Sequence, residues 1–118
     1  MLRASEPAPL APDDDPVCTL TEIGTCIQLT ARGELDLAAL PVLRDAAARA
    51  PLAAGRVVVL DLCDAPFADS TVVHFAIELA ARARAHGSEL VIVAPARTRE
   101  LFTLVGAGDL RIVEDERR

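Results

Sequence analysis

The sequence predicts an α/β fold: a single domain with a mostly parallel, mixed sheet in which strands and helices alternate. Two near-continuous apolar runs, Val57 to Leu62 and Glu89 to Ala94, are typical of central strands that are covered on both faces. One helical pattern separates the two runs and another follows the second run. Strands that alternate with helices in this way favour parallel pairing with right-handed crossovers.

The first element of the domain is a predicted β-hairpin. Polar and apolar residues alternate from Val17 to Ile23 and from Thr25 to Ala31, on either side of Gly24. This period of two indicates strands with one buried face. Residues 1–16, which are rich in Pro, Ala and Asp, offer too little apolar area to bury and are predicted to be a flexible N-terminal tail. The domain itself is predicted over residues 17–118.

A helix is predicted after the hairpin, from Leu37 to Ala50. Gly33 permits an unusual backbone conformation just before it, and Asp36 is placed to cap its first turn. Apolar residues at helical spacing predict that its inward face consists of Leu37, Leu40, Leu43 and Ala47.

A longer helix is predicted from Ser70 to His86, with Gly87 as its C-terminal stop. Its apolar spacing predicts a core-facing side made of Val73, Ala76, Ile77 and Ala80. That orientation would leave Val72 and His74 toward the surface, close to Ser70.

The C-terminal part of the domain is predicted to contain one more helix and one more strand. The helix runs from Ala96 to Val105, with Leu101, Phe102 and Val105 on one side. The strand is a short one, from Leu110 to Val113, and the charged residues after it are expected to be a solvated end.

Charge and hydropathy disfavour several classes of function. The chain has 118 residues and a formal net charge of −6, and a general nucleic-acid-binding role needs clustered basic charge instead. No run approaches the roughly 18 apolar residues of a membrane span. The N-terminus also lacks an apolar signal core, so a cytoplasmic location is expected.

The three cysteines, Cys18, Cys26 and Cys63, show no CxxC spacing. We expect them to be reduced, buried thiols that behave as small hydrophobic residues. A metal site would need further ligands, and only His74 and His86 are available. The sequence therefore predicts no metal site and no other cofactor.

Ser70 lies where a buried strand gives way, through an acidic turn, to the long helix. A serine at an exposed helix N-terminus can cap the helix, carry out chemistry or be modified to switch binding. Asp69 fits the role of cap equally well. Asp36 and Asp61 each lie where a strand meets a turn, and we expect their roles to be structural.

Five short motifs occur in order along the chain. They are Gly33-Glu34-Leu35-Asp36, VVLDL at Val58 to Leu62, FADST at Phe67 to Thr71, ELVIVAP at Glu89 to Pro95, and Leu101-Phe102 with Gly106. In this order and at this spacing the chain resembles the STAS domain, specifically the bacterial anti-sigma-factor antagonists. The resemblance covers roughly residues 17 to 116 and implies the layered α/β fold of that family.

The resemblance also implies a function. Family members bind a serine-kinase anti-sigma factor and so free the sigma factor that it held. The kinase phosphorylates the serine that follows an aspartate in the motif Asp-Ser-[Ser/Thr]-Gly, which abolishes binding, and a PP2C-type, metal-dependent phosphatase reverses the step. On this chain the implied phospho-acceptor is Ser70, with Thr71 as a minor alternative. The implied partner-binding residues are Glu34, Asp36, Asp69, Ser70, Val72 and His74.

The chain departs from the family pattern in two places. Glycine usually stands two residues after the acceptor, and often again two residues later, where this chain has Val72 and His74. Bulkier side chains there are expected to alter docking, and His74, one turn after Ser70, is placed to pair with a phosphate when protonated. A STAS interaction module without a phospho-switch, such as a signalling scaffold or a lipid-transport accessory subunit, is therefore the alternative.

Enzymatic activity is not expected. His74 shares a helix with Ser70, and a serine and a histidine four residues apart on one helix make poor triad geometry. The chain contains neither a GxSxG motif nor a phosphate-cradling glycine loop.

Overall fold

The computed structural model of the protein describes residues 15–65, 67–107 and 110–114. These residues form a five-stranded mixed sheet, a separate two-stranded sheet and three α-helices, so the predicted α/β class is confirmed. In chain order the elements are β1 (Val17–Ile23), β2 (Cys26–Arg32), β3 (Glu34–Leu35), α1 (Leu40–Arg49), β4 (Val57–Asp61), β5 (Phe67–Ala68), α2 (Ser70–Ala85), β6 (Glu89–Ala94), α3 (Ala96–Leu104) and β7 (Ile112–Glu114).

The five-stranded sheet has the strand order β1-β2-β4-β6-β7. β1 and β2 form the predicted antiparallel hairpin, with Val17 opposite Arg32 and Ile23 opposite Cys26. Each later strand pairs in parallel with its neighbour, because an intervening helix returns the chain to the edge at which the strands begin. As a result the helices all start at the opposite edge, where the parallel strands end.

Within the described residues, the helices cover one face of this sheet and leave the other open. Neighbouring helices contact one another, α1 with α2 and α2 with α3, so they form a single layer. On the covered face Val58 and Leu60 are fully buried, whereas Val57 and Val59 on the other face are half-buried. The prediction that β4 and β6 are covered on both faces is therefore wrong. Valine has a high β-propensity and also occupies positions on the open face. The sequence of each strand is therefore nearly all apolar, although one of its faces is open.

The core between the sheet and the helix layer is aliphatic, with Phe75 and Phe102 as its large aromatic side chains. The prediction that Leu43 and Ala47 face inward from α1 is confirmed. The same prediction for Leu37 is wrong, because this side chain is 71% exposed. The reason is local. Leu37–Ala39 form a 3₁₀ turn, so the α-helical period starts only at Leu40.

The buried side of α2 differs from the predicted one. Val73, Ala76 and Ala80 are buried as expected, but Ile77 is 44% exposed and Val72 is fully buried. The predicted surface position of Val72 is therefore wrong. α2 packs against β6 beneath it and against α1 at its side. The buried side of α2 therefore faces α1 as well as the sheet. This side also includes Phe75, Leu79 and Ala83.

The C-terminal elements are shifted slightly from their predicted bounds. α3 ends at Leu104, one residue before its predicted end, and Val105 is 40% exposed. The last strand begins at Ile112 rather than at Leu110. Apart from Asp15 and Pro16, the predicted tail lies outside the described residues, as does the predicted solvated end after Glu114.

The cysteines differ in accessibility, and this allows a simple chemical test. Cys18 and Cys63 are buried and Cys26 is half-buried. Burial raises the pKa of the Cys18 thiol to about 11, although the charge of Arg49 partly opposes this. Cys18 is thus almost wholly protonated at pH 8, and we expect native protein to react with iodoacetamide faster at Cys26 than at Cys18. Peptide mapping by mass spectrometry over a time course checks this, and urea-unfolded protein, in which both thiols should react alike, is the control.

Candidate functional site

The site is built at the edge where the parallel strands end. β3 and β5, the two shortest strands, pair in parallel there, with Glu34 opposite Phe67 and Leu35 opposite Ala68. The Asp69 backbone N–H donates to the Leu35 carbonyl oxygen at 3.3 Å. The Gly33–Asp36 segment and the start of α2 are therefore joined, although 34 residues separate Leu35 from Asp69 in the chain.

Gly33 lets the chain turn from β2 into β3 close to the backbone that precedes β1. Its φ of +91° is in the left-handed region, and a Cβ added there would lie 2.5 Å from the Asp15 carbonyl oxygen. Leu35 is fully buried and fixes β3 in place, which leaves Glu34 exposed beside it. The predicted structural role of Asp36 is confirmed, since its carboxylate accepts a hydrogen bond from the Ala38 N–H at 3.0 Å and caps the 3₁₀ turn.

Asp69 caps α2. Its backbone is extended, with φ −118° and ψ −167°, and its carboxylate accepts a hydrogen bond from the Thr71 N–H at 2.8 Å. Ser70 is the first residue of the helix and is exposed. Within the described residues the Ser70 hydroxyl makes no hydrogen bond, so capping does not occupy it. The acidic turn before the site is held in a similar way, by the Asp61 carboxylate accepting from the Cys63 N–H at 2.9 Å.

We expect Asp69→Ala to lower the free energy of unfolding by about 1 kcal/mol, because the first turn of α2 then loses its side-chain acceptor. Asp69→Asn keeps an acceptor oxygen and is the matched control. Urea unfolding followed by circular dichroism measures both variants. Equal losses for the two variants would contradict the capping role.

The outer side of α2 carries the exposed part of the site. Ser70, His74 and Ile77 are spaced by four and three residues and so form one exposed stripe. His74 was expected at this surface. Ile77 was not, because its apolar character favoured a core position. Val72 points into the core, so its side chain is not available for the partner contact that the resemblance implies for it.

Two shallow grooves flank this stripe. One lies between α1 and α2 and has a volume of about 290 Å³, with Arg44, Phe75, Glu78 and Arg82 in its lining. The other, of about 300 Å³, lies between α2 and the segment that follows α3; it is lined by Ile77, Ala80, Ala81, Arg84, Gly106, Ala107 and Leu110. The second groove adjoins the stripe at Ile77.

A bidentate ion pair spans the first groove. Arg44 Nε and Nη2 donate to the two carboxylate oxygens of Glu78 at 3.2 and 2.7 Å. The hydrogen bonds from Arg44 hold the pKa of the Glu78 carboxyl below its usual value, with smaller contributions from the charges of Arg44 and His74. Both side chains are about half exposed, so the pair orients α1 relative to α2 rather than contributing much stability.

The described residues also bear on a metal site and on a membrane span. Among them, no three His, Cys, Asp or Glu side chains lie close enough together to hold a metal ion. The second histidine, His86, lies at the far end of α2, with Nδ1 2.9 Å from the Arg82 carbonyl oxygen. Within the same part of the chain, no helix has the length and apolar character needed to cross a membrane.

Comparison with known families was informative. A family model described as "Mlab, STAS domain" matches residues 18–114. The match runs from β1 to β7 and includes both segments of the site. No curated protein matches the chain.

Proposed function

The chain belongs to the STAS domain family, whose members are protein-interaction modules, and on that premise we propose that it is an anti-sigma-factor antagonist. In this proposal the surface around Ser70 binds a serine-kinase anti-sigma factor. Phosphorylation of Ser70 by that kinase ends the binding, and a PP2C-type phosphatase restores it. The proposal requires a cytoplasmic location, where the kinase has ATP.

The observation that carries the proposal is the state of the Ser70 hydroxyl. A kinase needs an acceptor that is exposed and held on a rigid element, and Ser70 begins a helix whose cap is supplied by Asp69. The hydroxyl is therefore accessible without disturbing the fold. Thr71 is half-buried, which makes it the poorer acceptor of the two.

A phosphate on Ser70 is compatible with the folded domain. Backbone N–H groups of the first turn and the helix dipole both favour an anion at this end of α2. The added charge of about −1.5 to −2 should therefore act mainly on the partner. It would lie beside Asp69 and near Glu34, on a chain that already has a net charge of −6.

The proposed contact surface has two parts. Glu34 and Asp36 extend it on the side of β3, which the pairing with β5 brings next to the start of α2. His74 and the exposed part of Ile77 continue it along the helix. A partner with a basic edge and an apolar centre would complement these two parts.

The alternative, a STAS interaction module without a phospho-switch, is weakened by the burial of Val72. That side chain lies in the core and does not crowd the surface as the sequence suggested. Of the two residues that replace the usual family glycines, Val72 and His74, only His74 has an exposed side chain. A signalling scaffold or a lipid-transport accessory subunit stays the second candidate because of that residue.

We do not propose an enzymatic activity. The exposed Ser70 hydroxyl has His74 as its nearest candidate base along the helix, in a geometry unsuited to a catalytic triad. An acceptor hydroxyl needs no such base, because the kinase would supply it.

The test of the proposed function is phosphorylation by the partner. The protein is incubated with ATP and, in turn, each purified histidine-kinase-like anti-sigma factor of its genome, and phosphopeptides are mapped by mass spectrometry. We expect one kinase to place one phosphate on Ser70. Ser70→Ala should abolish this, whereas Thr71→Ala, the matched control, should retain it. Tight binding to such a factor without modification of Ser70 would favour the module without a switch.

A further inference from the structure

We propose that His74 is the intramolecular counter-charge for a phosphate on Ser70, so that the modified domain contains a pH-dependent contact between these two side chains. The inference rests on the proposed modification of Ser70 and assigns a role to the one surface residue that departs from the family pattern. It concerns the modified protein itself and does not depend on which partner performs the modification.

The geometry of α2 brings the two side chains together. Residues four apart on a helix have Cβ atoms about 5 to 6 Å from each other. Side chains on a helix also tilt toward its N-terminus, so the His74 ring leans toward the turn that carries Ser70. Both residues are exposed, and neither has a hydrogen bond within the described part of the chain. A phosphate on the Ser70 oxygen extends into the space above this turn, within reach of the ring.

The other charged side chains near the start of α2 are mostly engaged already. They are Asp69 and Glu78 on α2, Arg44 on α1, and Glu34 and Asp36 beside β3. Arg97 and Arg99 lie in the first turn of α3, a helix that packs against α2. Arg44 is held in the bidentate pair with Glu78, and Arg99 lies 3.5 Å from Glu114. The Asp69 carboxylate accepts from the Thr71 N–H.

The contact depends on the protonation of both partners, because it joins an imidazolium to a phosphate dianion. An imidazolium attracts the phosphate dianion, and a neutral imidazole does not. Glu78, one turn further along, has its carboxylate directed to Arg44. A phosphoserine dianion takes up a proton at about pH 6, so the attraction weakens at lower pH as the phosphate is protonated and at higher pH as the imidazole becomes neutral.

The experiment uses protein in which phosphoserine is placed at position 70 during translation, so that no kinase is needed. Titration of the phosphate is followed by ³¹P NMR in the parent chain and in His74→Gln. We expect the phosphate to lose its last proton at a pH roughly half a unit lower in the parent, the size expected of one charge about 5 Å away in water. His86→Gln, which changes the histidine at the other end of the same helix, should behave like the parent.

A second variant keeps the result interpretable. His74→Arg carries a permanent charge at the same place and should lower the phosphate midpoint at least as far as the parent does. Identical midpoints for the parent, His74→Gln and His74→Arg, with circular dichroism showing folded protein in each case, would overturn the proposal. Failure of every kinase to modify Ser70 would instead overturn the proposed function and leave this measurement unchanged.

Discussion

Ser70→Asp is expected to weaken binding to the anti-sigma factor by roughly a hundredfold or more while leaving the domain folded. A close-packed interface tolerates an added charge poorly, and a loss of a few kcal/mol corresponds to this change in affinity. The first turn of α2 should accept the carboxylate, because its free N–H groups and the helix dipole favour a negative charge. Isothermal titration calorimetry measures the affinity, and circular dichroism with thermal melting checks the fold.

Ser70→Asn and Ser70→Ala separate charge from shape. Asn has nearly the size of Asp without its charge, so it should retain most of the binding if repulsion is the cause. Ser70→Ala should bind like the parent and resist phosphorylation. A Ser70→Asp variant that binds as tightly as Ser70→Ala would contradict the switch, and equal losses for Asp and Asn would assign the effect to crowding.

Much of the fold could be predicted from local patterns. The alternation from Val17 to Ile23 specifies a strand with one buried face. Gly87, the predicted stop of α2, has a φ of +79° and follows two residues after the end of the helix at Ala85. These signals depend on a few neighbouring residues. Such local signals predict the structure correctly here because the tertiary packing favours the same conformations as the local sequence.

Other features depend on contacts that a single sequence does not encode locally. The pairing of β3 with β5 involves two residues on each strand, too few for a periodic pattern. Only the family resemblance brought Glu34 into the neighbourhood of Ser70. The open face of the sheet was missed for a related reason: a valine suits a half-buried strand position as well as a core one.

The positions of Val72 and Ile77 show the limit most clearly. Both are β-branched and lie in one apolar stretch of α2, so either can face the core. The choice between them is made by α1, which covers the side of α2 that carries Phe75 and Leu79. Helical spacing gives the period of a buried face but not its orientation, and the orientation decides which residues belong to the candidate site.

Restoring the family glycine at position 72 is therefore expected to destabilise the domain rather than open its surface. Val72→Gly removes a fully buried side chain and leaves a cavity under the first turn of α2. Glycine adds a helix-propensity cost of up to about 1 kcal/mol, so we expect a loss of about 3 kcal/mol in the free energy of unfolding. That is a large part of the roughly 5 to 15 kcal/mol by which domains of this kind are stable.

The matched control is His74→Gly, which places the second family glycine at an exposed position of the same helix. It removes no buried contact and should cost only the difference in helix propensity between histidine and glycine, about 0.5 kcal/mol. Urea unfolding of the parent and both variants gives the comparison, with Val72→Ala as an intermediate step. If Val72→Gly and His74→Gly lost the same stability, Val72 would not be packed as described, and the surface of α2 around Ser70 would have to be redrawn with Val72 in it.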